Sequence, residues 1–271
     1  GHPAAPSNLY NGMVAPIVPM ALAGFVWYQG EANVGRAQQY ETILLRLIQG
    51  WRNAFNQGDL PFLITQLPSF RPKANEPGDA EWAEIRECQM KALKLPRVGL
   101  AVTLDLGDPD DIHPKRKKEV GERLAEAARQ LAYFSTARGM PPIYDGFRRE
   151  GDKIRVLFRN TAGSMRALDG QPLRGFAVAG EDRKWLWASA AVEGESVLVW
   201  SPLVKNPIAV RYAWADNPDG NLGNRAQMMA SPFRTDDWPA MLVRNTGTSR
   251  PALGLPVQAR KGAEKVSNSR Q

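Results

Sequence analysis

Trp27-Tyr28-Gln29-Gly30-Glu31-Ala32-Asn33 marks the point where a buried strand passes into a helix. A short apolar run, Gly24-Phe25-Val26, precedes this stretch, and a long amphipathic helix pattern follows it. A polar cluster at such a junction is typical of the ligand-binding edge of an open α/β sheet. A second polar stretch, Asp108-Pro109-Asp110-Asp111-Ile112-His113-Pro114, lies at a junction of the same kind. The prediction of function depends on these two stretches.

The first half of the chain alternates buried apolar runs with segments of helical spacing. This order predicts parallel strands joined by right-handed crossovers, with Pro114 opening the third helix. Three strands are few for such a sheet, so the predicted α/β domain at residues 1–138 lacks its N-terminal part. The strands and helices are predicted, in chain order, at residues 24–29, 37–55, 61–67, 80–95, 98–104 and 114–134.

The pattern changes after Gly139, where short segments rich in β-branched and aromatic residues alternate with Gly, Asp and Asn. This pattern predicts a β-rich accessory module, resembling a β-sandwich, at residues 139–238. Residues 239–271 contain Pro, Gly, Ser, Lys and Arg with few large apolar groups, which predicts a flexible basic tail. The strands of the module are predicted at residues 154–158, 173–179, 184–191, 196–200 and 208–214.

The composition limits the partners of the chain. At 271 residues, 43% hydrophobic and 23% charged, the sequence is that of an ordinary globular protein. The net charge of +7 collects in the tail and at residues 115–118, without interleaved aromatic residues, so no nucleic acid partner is expected. No apolar stretch is long enough to span a membrane, so no membrane partner is expected either. The single cysteine, Cys88, lies in a helical pattern and is predicted to be a small core residue.

His113 is the strongest single catalytic candidate. It follows a strand end and is preceded by two carboxylates, Asp110 and Asp111. A carboxylate that holds a histidine fixes its tautomer and raises its basicity, which suits a general base. Asp110 matches an Asp-x-x-His spacing, whereas Asp111 is nearer in sequence and can instead bond the backbone of the turn. The alternative is a surface histidine beside a solvated acidic loop.

The first stretch contains the other candidate site residues. Gly30 permits close approach of the backbone to a ligand. The side-chain amides of Gln29 and Asn33 can donate hydrogen bonds to a developing oxyanion. Glu31 can order the loop, or it can act as an acid or base. The alternative is a loop that ends a strand and begins the next helix.

Together the two stretches resemble a known family. Residues 27–33 are similar to the WYQGE(S/A)N block of the sialate O-acetylesterases, which are carbohydrate esterases of the SGNH-hydrolase superfamily. Residues 110–114 are similar to their DIHP block, which carries the catalytic histidine. The resemblance extends over about residues 9–237, with further similar segments at residues 9–13, 211–218 and 231–235.

The resemblance implies a fold and a function. The fold is α/β, with a partial flavodoxin-like SGNH-hydrolase parallel sheet followed by the β-rich module. The function is that of a serine esterase that removes O-acetyl groups from sialic acid or another sugar. His113 is then the base, Asp110 or Asp111 its partner, and Gln29 and Gly30 lie near the oxyanion hole. An acetylated carbohydrate is the implied partner, without metal or organic cofactor, and the implied location is periplasmic or secreted.

The chain departs from the family pattern at the nucleophile. The family carries its serine in a Gly-Gln-Ser-Asn block upstream of the segment that resembles residues 9–13, and residues 1–271 contain no such block. Ser7-Asn8 matches its end, but Ala5-Pro6 replaces the Gly-Gln. The chain therefore resembles the C-terminal portion of the enzyme. An open sheet edge left by missing strands predicts a homodimer or association with an N-terminal fragment.

Two other functions use the same residues or the β-rich module. A glycoside hydrolase could employ Glu31 with Asp110 or Asp111 as its two carboxylates, which requires no serine. A non-catalytic carbohydrate-binding protein could stack sugars on the tryptophans of the module, although tryptophans in strands usually belong to the core. These tryptophans are Trp185, Trp187, Trp200 and Trp214.

Overall fold

The computed structural model describes residue 5 and residues 7–136 and 139–239. The first half contains strands and helices in the predicted order, and its three strands form one parallel sheet in which they lie side by side in chain order. The predicted α/β fold class is confirmed. The elements are β1 (Phe25–Trp27), α1 (Ala37–Phe55), β2 (Phe62–Thr65), α2 (Glu81–Lys91), β3 (Val98–Ala101) and α3 (Lys117–Leu131).

The sheet is covered unevenly. All residues of β2 and β3 are buried, because helices pack on both faces of these two strands. Strand β1 pairs with β2 alone among the described residues, and Val26 at its centre is 60% exposed. This part of the sheet therefore presents an open edge and an apolar side chain to solvent.

A π-helical turn at Tyr10–Val14 and a 3-10 turn at Ala15–Ile17 precede β1. One predicted element boundary was wrong. Pro114 does not open the third helix, which begins at Lys117. The reason lies in Arg116, whose backbone (φ −76°, ψ 56°) is not helical, so the loop continues for two residues beyond Pro114.

The second half contains two four-stranded antiparallel sheets and one two-stranded sheet. The predicted strand at residues 184–191 is two strands, and they belong to different sheets. The strand at Ile143–Glu150 was not predicted because charged residues mask its apolar alternation. The strands are β4 (Ile143–Glu150), β5 (Lys153–Arg159), β6 (Met165–Ala167), β7 (Phe176–Ala179), β8 (Leu186–Trp187), β9 (Ser189–Glu193), β10 (Ser196–Trp200), β11 (Ala209–Tyr212), β12 (Leu222–Asn224) and β13 (Phe233–Arg234).

The four-stranded sheets have the orders β4-β5-β10-β9 and β13-β11-β7-β8. One hydrophobic cluster contains residues of the parallel sheet, such as Ile64, and residues of the antiparallel sheets, such as Phe233. Both halves belong to one compact unit that ends at Trp238. The domain boundary between residues 138 and 139 stays a prediction. Apart from Pro239, the predicted tail at residues 239–271 lies outside the described residues.

Within the described part of the chain, no helix combines the length and apolar character that crossing a membrane requires.

Candidate active site

The candidate site lies where the three parallel strands end. Because parallel strands point the same way, the loops after β1, β2 and β3 leave the sheet at one edge, where open α/β sheets bind ligands. Residues 27–33 include the loop after β1, and residues 108–114 lie in the loop after β3. The structure therefore brings both predicted stretches to the same edge, with the loop after β2 between them.

Gln89 of α2 ties the first two loops together. Its side-chain Nε2 donates to the carbonyl oxygens of Gln29 (3.2 Å) and Thr65 (3.3 Å). Its Oε1 accepts a hydrogen bond from the amide of Leu67 (3.0 Å). The Tyr40 hydroxyl also donates to the Gln29 carbonyl (2.8 Å). Buried polar bonds of this kind hold the backbone at Gln29 in one place.

Gly30, in the loop after β1, is buried against α2 and the loop after β2. A Cβ at this position would lie 3.2 Å from Gln89 Nε2, 3.2 Å from Leu67 Cδ1 and 3.3 Å from Ile85 Cγ2. The glycine therefore permits a close approach of the loop to the helix, in addition to any approach of a ligand.

The polar side chains around Gly30 interact locally. Gln29 Nε2 donates to Asn33 Oδ1 at 2.7 Å, which uses one of the two N–H groups of Gln29 and leaves the Asn33 amide group free to donate elsewhere. Glu31 is half-buried and begins the 3-10 turn Glu31–Asn33. Burial, together with the negative charge of Glu31, raises the pKa of the neighbouring Tyr28 to about 12. Tyr28 is therefore neutral at physiological pH.

His113 is placed at the surface by a tight acidic turn. Its side chain is 88% exposed, and its Nδ1 lies 3.6 Å from Asp111 Oδ1. The same oxygen accepts the backbone N–H of His113 at 2.8 Å. Asp108 Oδ1 accepts the backbone N–H of Asp110 at 2.9 Å, as expected of a turn residue, and Asp110 itself is exposed. Of the two carboxylates, Asp111 is therefore the one placed beside the imidazole.

A contact between Tyr28 and Lys117 connects the two stretches. Lys117 begins α3, directly after the His113 loop, and its ammonium group lies 4.5 Å from the centroid of the Tyr28 ring and 3.3 Å from the Tyr28 hydroxyl. Such a contact combines a cation–π attraction with a hydrogen bond. The catalytic roles of the residues in both stretches stay predictions.

The loop after β2 packs against the segment that leads from β3 to His113, although its sequence carries no catalytic signature. The Ser69 hydroxyl donates to the Leu104 carbonyl at 2.6 Å, and the Thr103 hydroxyl donates to the Gln66 carbonyl. Gly107 packs so closely against the backbone of Ser69 that a Cβ there would collide with the Ser69 carbonyl oxygen. The only signal in the sequence was the position of this loop after a buried strand.

Ser69 and Cys88 are not placed as nucleophiles. Ser69 is buried and its hydroxyl is donated to a carbonyl, so it is not poised to attack a substrate. Cys88 is confirmed as a core residue: its Sγ donates to the Ala37 carbonyl, and burial raises the pKa of its thiol to about 12. Among the described residues, no three His, Cys, Asp or Glu side chains converge as metal ligands.

Comparison with known proteins places these features in a family. The family model described as carbohydrate esterase, sialic acid-specific acetylesterase, matches residues 4–130. The sialate O-acetylesterase of Mus musculus is 31% identical over 247 residues, which cover 80% of this chain and 44% of the mouse protein. The sialate O-acetylesterase of Homo sapiens is 36% identical over 149 residues, which cover 48% of this chain and 28% of the human protein.

A solved structure agrees with these matches. The crystal structure of a carbohydrate acetylesterase from Xanthomonas citri has a TM-score of 0.81 and 40% sequence identity, and the match covers 85% of this chain and 54% of that chain. The chain spans about half the length of these relatives or less. From the family model, the curated relatives and the shared fold, we conclude that the chain belongs to the sialic acid-specific acetylesterase family of carbohydrate esterases.

Proposed function

We propose that this chain supplies the histidine and the oxyanion-binding side of a carbohydrate O-acetylesterase site. The substrate class is an O-acetylated sugar, with O-acetylated sialic acid as the first candidate. The observation that carries the proposal is that the His113 loop and the Gln29–Gly30 loop leave the sheet at the same edge, where Lys117, just after the His113 loop, contacts Tyr28, just before Gln29, in a chain similar to this family over residues 4–130. No metal or organic cofactor is required by this chemistry.

The geometry supports a division of roles. His113 accepts the proton of an attacking hydroxyl group and then returns it to the sugar oxygen that leaves. Asp111 orients the imidazole, and a small rotation shortens the present 3.6 Å separation to hydrogen-bond length. The amides of Gln29 and Asn33 stabilise the negative charge on the ester oxygen. Water then hydrolyses the acetyl intermediate with His113 again acting as base.

The attacking hydroxyl group is the part of the site that we assign to a polypeptide segment outside residues 1–271. Ser69 is buried and donates to a carbonyl, and Ser7 is exposed near the start of the described residues with a left-handed backbone (φ 67°). The open edge of β1, with Val26 60% exposed, offers a place where an N-terminal fragment or a second copy of the chain can pair. A periplasmic or secreted location is part of the same proposal.

The experiment measures acetate release from O-acetylated sialic acid. The chain is assayed alone and after mixing with a segment that carries the Gly-Gln-Ser-Asn block, and light scattering reports the association state of both samples. We expect acetate release in the mixture and its loss when the serine of the segment is replaced by alanine. Unchanged release with the serine variant contradicts the assigned nucleophile, and the absence of release in every sample contradicts the proposed function.

The two other functions are not favoured. The similar proteins are carbohydrate and sialate O-acetylesterases, which act on ester bonds, and this does not favour a glycoside hydrolase that uses Glu31 with Asp110 or Asp111. The tryptophans of the β-rich module also have structural contacts. Trp214 is buried, Trp185 lies 4.2 Å from the guanidinium of Arg211, and Trp187 Nε1 donates to the carbonyl of Asn75.

A further inference from the structure

Arg71, in the loop after β2, has a backbone conformation that other interactions must hold. Its φ is 75°, in the left-handed region that non-glycine residues rarely adopt. Its amide donates to the carbonyl of Pro109 at 3.0 Å. Its own carbonyl accepts a hydrogen bond from Asn217 Nδ2 at 2.7 Å, and its guanidinium Nη1 lies 2.9 Å from Asp216 Oδ2. A costly conformation with three such partners is a sign of a functional constraint.

Asp216 is a rigid anchor for this arginine. Its Oδ1 accepts the amide of Trp82 in the first turn of α2 (3.1 Å), while its Oδ2 faces Arg71. Its backbone carbonyl accepts hydrogen bonds from the amide of Phe70 (3.3 Å) and from Arg86 Nη2 (2.8 Å). The backbone carbonyl and both carboxylate oxygens of Asp216 thus each accept at least one hydrogen bond.

Arg86 is the most buried residue that holds Asp216. Its side chain is fully buried, and it donates to the carbonyls of Leu67 (2.8 Å) and Pro68 (2.7 Å) at the end of β2. It also donates to the carbonyls of Ala215 (2.7 Å) and Asp216 (2.8 Å). The buried guanidinium of Arg86 therefore joins the loop after β2 to the β-rich half of the chain, which contains β4–β13.

Arg71 also contacts the loop that carries His113. Within that loop, the described hydrogen bonds of Asp108 and Asp111 are local and shape the turn itself. The bond from the Arg71 amide to Pro109 joins this turn to the loop after β2. Pro109 lies four positions before His113, so the place of the imidazole depends on where Pro109 is held.

We propose that Arg71 is a positioning residue for His113, held by Asp216 and Asn217 of the β-rich half. The inference rests on the proposed role of His113 as the base. The antiparallel half of the chain (β4–β13) then has a direct part in the active site. It sets the distance between the imidazole of His113 and the acetyl ester. A displacement of about 1 Å at a base can lower a rate by about a hundredfold.

The first test compares Arg71→Ala with Lys73→Ala by amide hydrogen exchange. Lys73 forms an exposed ion pair with Asp219 at 3.3 Å, which joins the same two segments without reaching Pro109. We expect exchange in residues 108–113 to become about fivefold faster in Arg71→Ala, the size typical of losing a partly exposed ion pair, and to stay at the wild-type rate in Lys73→Ala. Equal exchange in the two variants overturns the inference.

The second test uses the imidazole itself. The chain contains two histidines, so the NMR signals of His113 are assigned by replacing His2 with glutamine. We expect Arg71→Ala and Asp216→Asn to move and broaden the His113 signals, and Arg71→Lys to restore them in part because its ammonium can still meet Asp216. The Asp216→Asn variant retains an acceptor for the Trp82 amide, so it tests the ion pair if Arg71→Ala folds poorly. Unchanged His113 signals in both variants overturn the inference.

The third test is kinetic and uses the same mixture as the acetate assay. We expect kcat for Arg71→Ala to fall about ten- to a hundredfold while KM changes by less than about threefold, because the substrate-binding groups stay in place. A rise in KM with unchanged kcat overturns the inference. If the wild-type protein releases no acetate, the proposed function fails, and the exchange and NMR tests still decide whether Arg71 positions the His113 loop.

Discussion

At the scale of single residues, His113 and its neighbours are organised by the acidic turn. Asp111 has two tasks, since one oxygen accepts the His113 amide at 2.8 Å and also lies 3.6 Å from Nδ1. Asp110, the residue that matched the Asp-x-x-His spacing, is exposed. The structure thus places Asp111 beside the imidazole, whereas the sequence left Asp110 and Asp111 as alternatives.

Asp111→Asn should lower the rate of acetate release more than Asp110→Asn. The asparagine still accepts the His113 amide but loses the charge that stabilises an imidazolium, so we expect a loss of about ten- to a hundredfold. Asp110→Asn is the matched control, and we expect its rate to stay close to wild type. The measurement is kcat/KM for both variants; a larger loss with Asp110→Asn would assign the orienting role to Asp110.

Gly30→Ala tests the packing of the loop after β1. The added methyl group would meet Gln89, Leu67 and Ile85 at 3.2–3.3 Å, so we expect the free energy of unfolding to fall by about 1–3 kcal/mol. Gly121 in α3 is exposed with no heavy atom within 4 Å of a Cβ, and Gly121→Ala should stabilise the protein by up to about 1 kcal/mol. Urea denaturation measures both; equal stabilities for the two variants would show that Gly30 is not packed as described.

At the scale of elements, α2 connects the parallel sheet to the antiparallel sheets. Its buried face donates through Gln89 to the loop after β1 and through Arg86 to the loop after β2. On its other side, Glu87 forms a bidentate pair with Arg234 of β13 (2.8 and 3.1 Å). Helix α2 therefore sets the position of the site loops relative to the β-rich half.

The Glu87–Arg234 pair predicts a pH dependence of stability. Burial raises the pKa of Glu87, but the hydrogen bonds and charge of Arg234, together with Lys91, outweigh it and hold the pKa below its usual value. A carboxylate whose pKa is lower in the folded than in the unfolded state stabilises the fold above its unfolded pKa, and this contribution is lost as pH falls through the folded pKa. The stability advantage of wild type over Glu87→Gln should therefore shrink in acid.

Urea denaturation at about pH 6, 4.5 and 3 measures this advantage across the range in which a carboxylate titrates. Glu122→Gln is the control, since Glu122 is exposed and lies 3.8 Å from Lys118. We expect the Glu122 variant to follow the wild-type curve at all three pH values. An advantage over Glu87→Gln that grows on acidification would contradict the lowered pKa.

The elements differ in how far the sequence predicts them. The bounds of α1 agree with the prediction because its apolar stripe is long and regular. Strand β4 was missed because Asp145, Arg148 and Arg149 interrupt its apolar pattern. It is an edge strand that pairs only with β5 among the described strands, so charged residues are tolerated in it. The start of α3 was misplaced because the backbone of Arg116 is not helical, and its side chain donates to the carbonyl of Asp105, eleven positions away, a contact that proline propensity does not reveal.

In the candidate site, too, some residues are predictable from the sequence and others are not. The two stretches, their place at strand ends and the identity of His113 follow from local residue patterns. Arg71, Arg86 and Gln89 do not, because their hydrogen-bond partners are 18 to 146 positions away and are joined to them only by the fold. Buried hydrogen bonds to backbone carbonyls, as made by Arg86, leave no signature in the sequence of either partner.

At the scale of the whole molecule, the two halves share one hydrophobic cluster and meet through charged contacts at the site. A loop from each strand of the parallel sheet and a segment of the antiparallel half converge on one edge. The open edge of β1 is the exception, because Val26 is 60% exposed there and no described strand covers it. Among the described residues, the edge of β1 away from β2 is therefore without a paired strand.

The most direct test of the central claim compares the wild-type chain with His113→Ala in the acetate-release assay, each mixed with the same serine-bearing segment. Circular dichroism confirms that both chains are folded, which is expected because His113 is 88% exposed. We predict that the wild-type mixture releases acetate from O-acetylated sialic acid and that His113→Ala lowers the rate by about 10²–10⁴-fold, the usual effect of losing a general base. Release by His113→Ala at the wild-type rate would contradict the account.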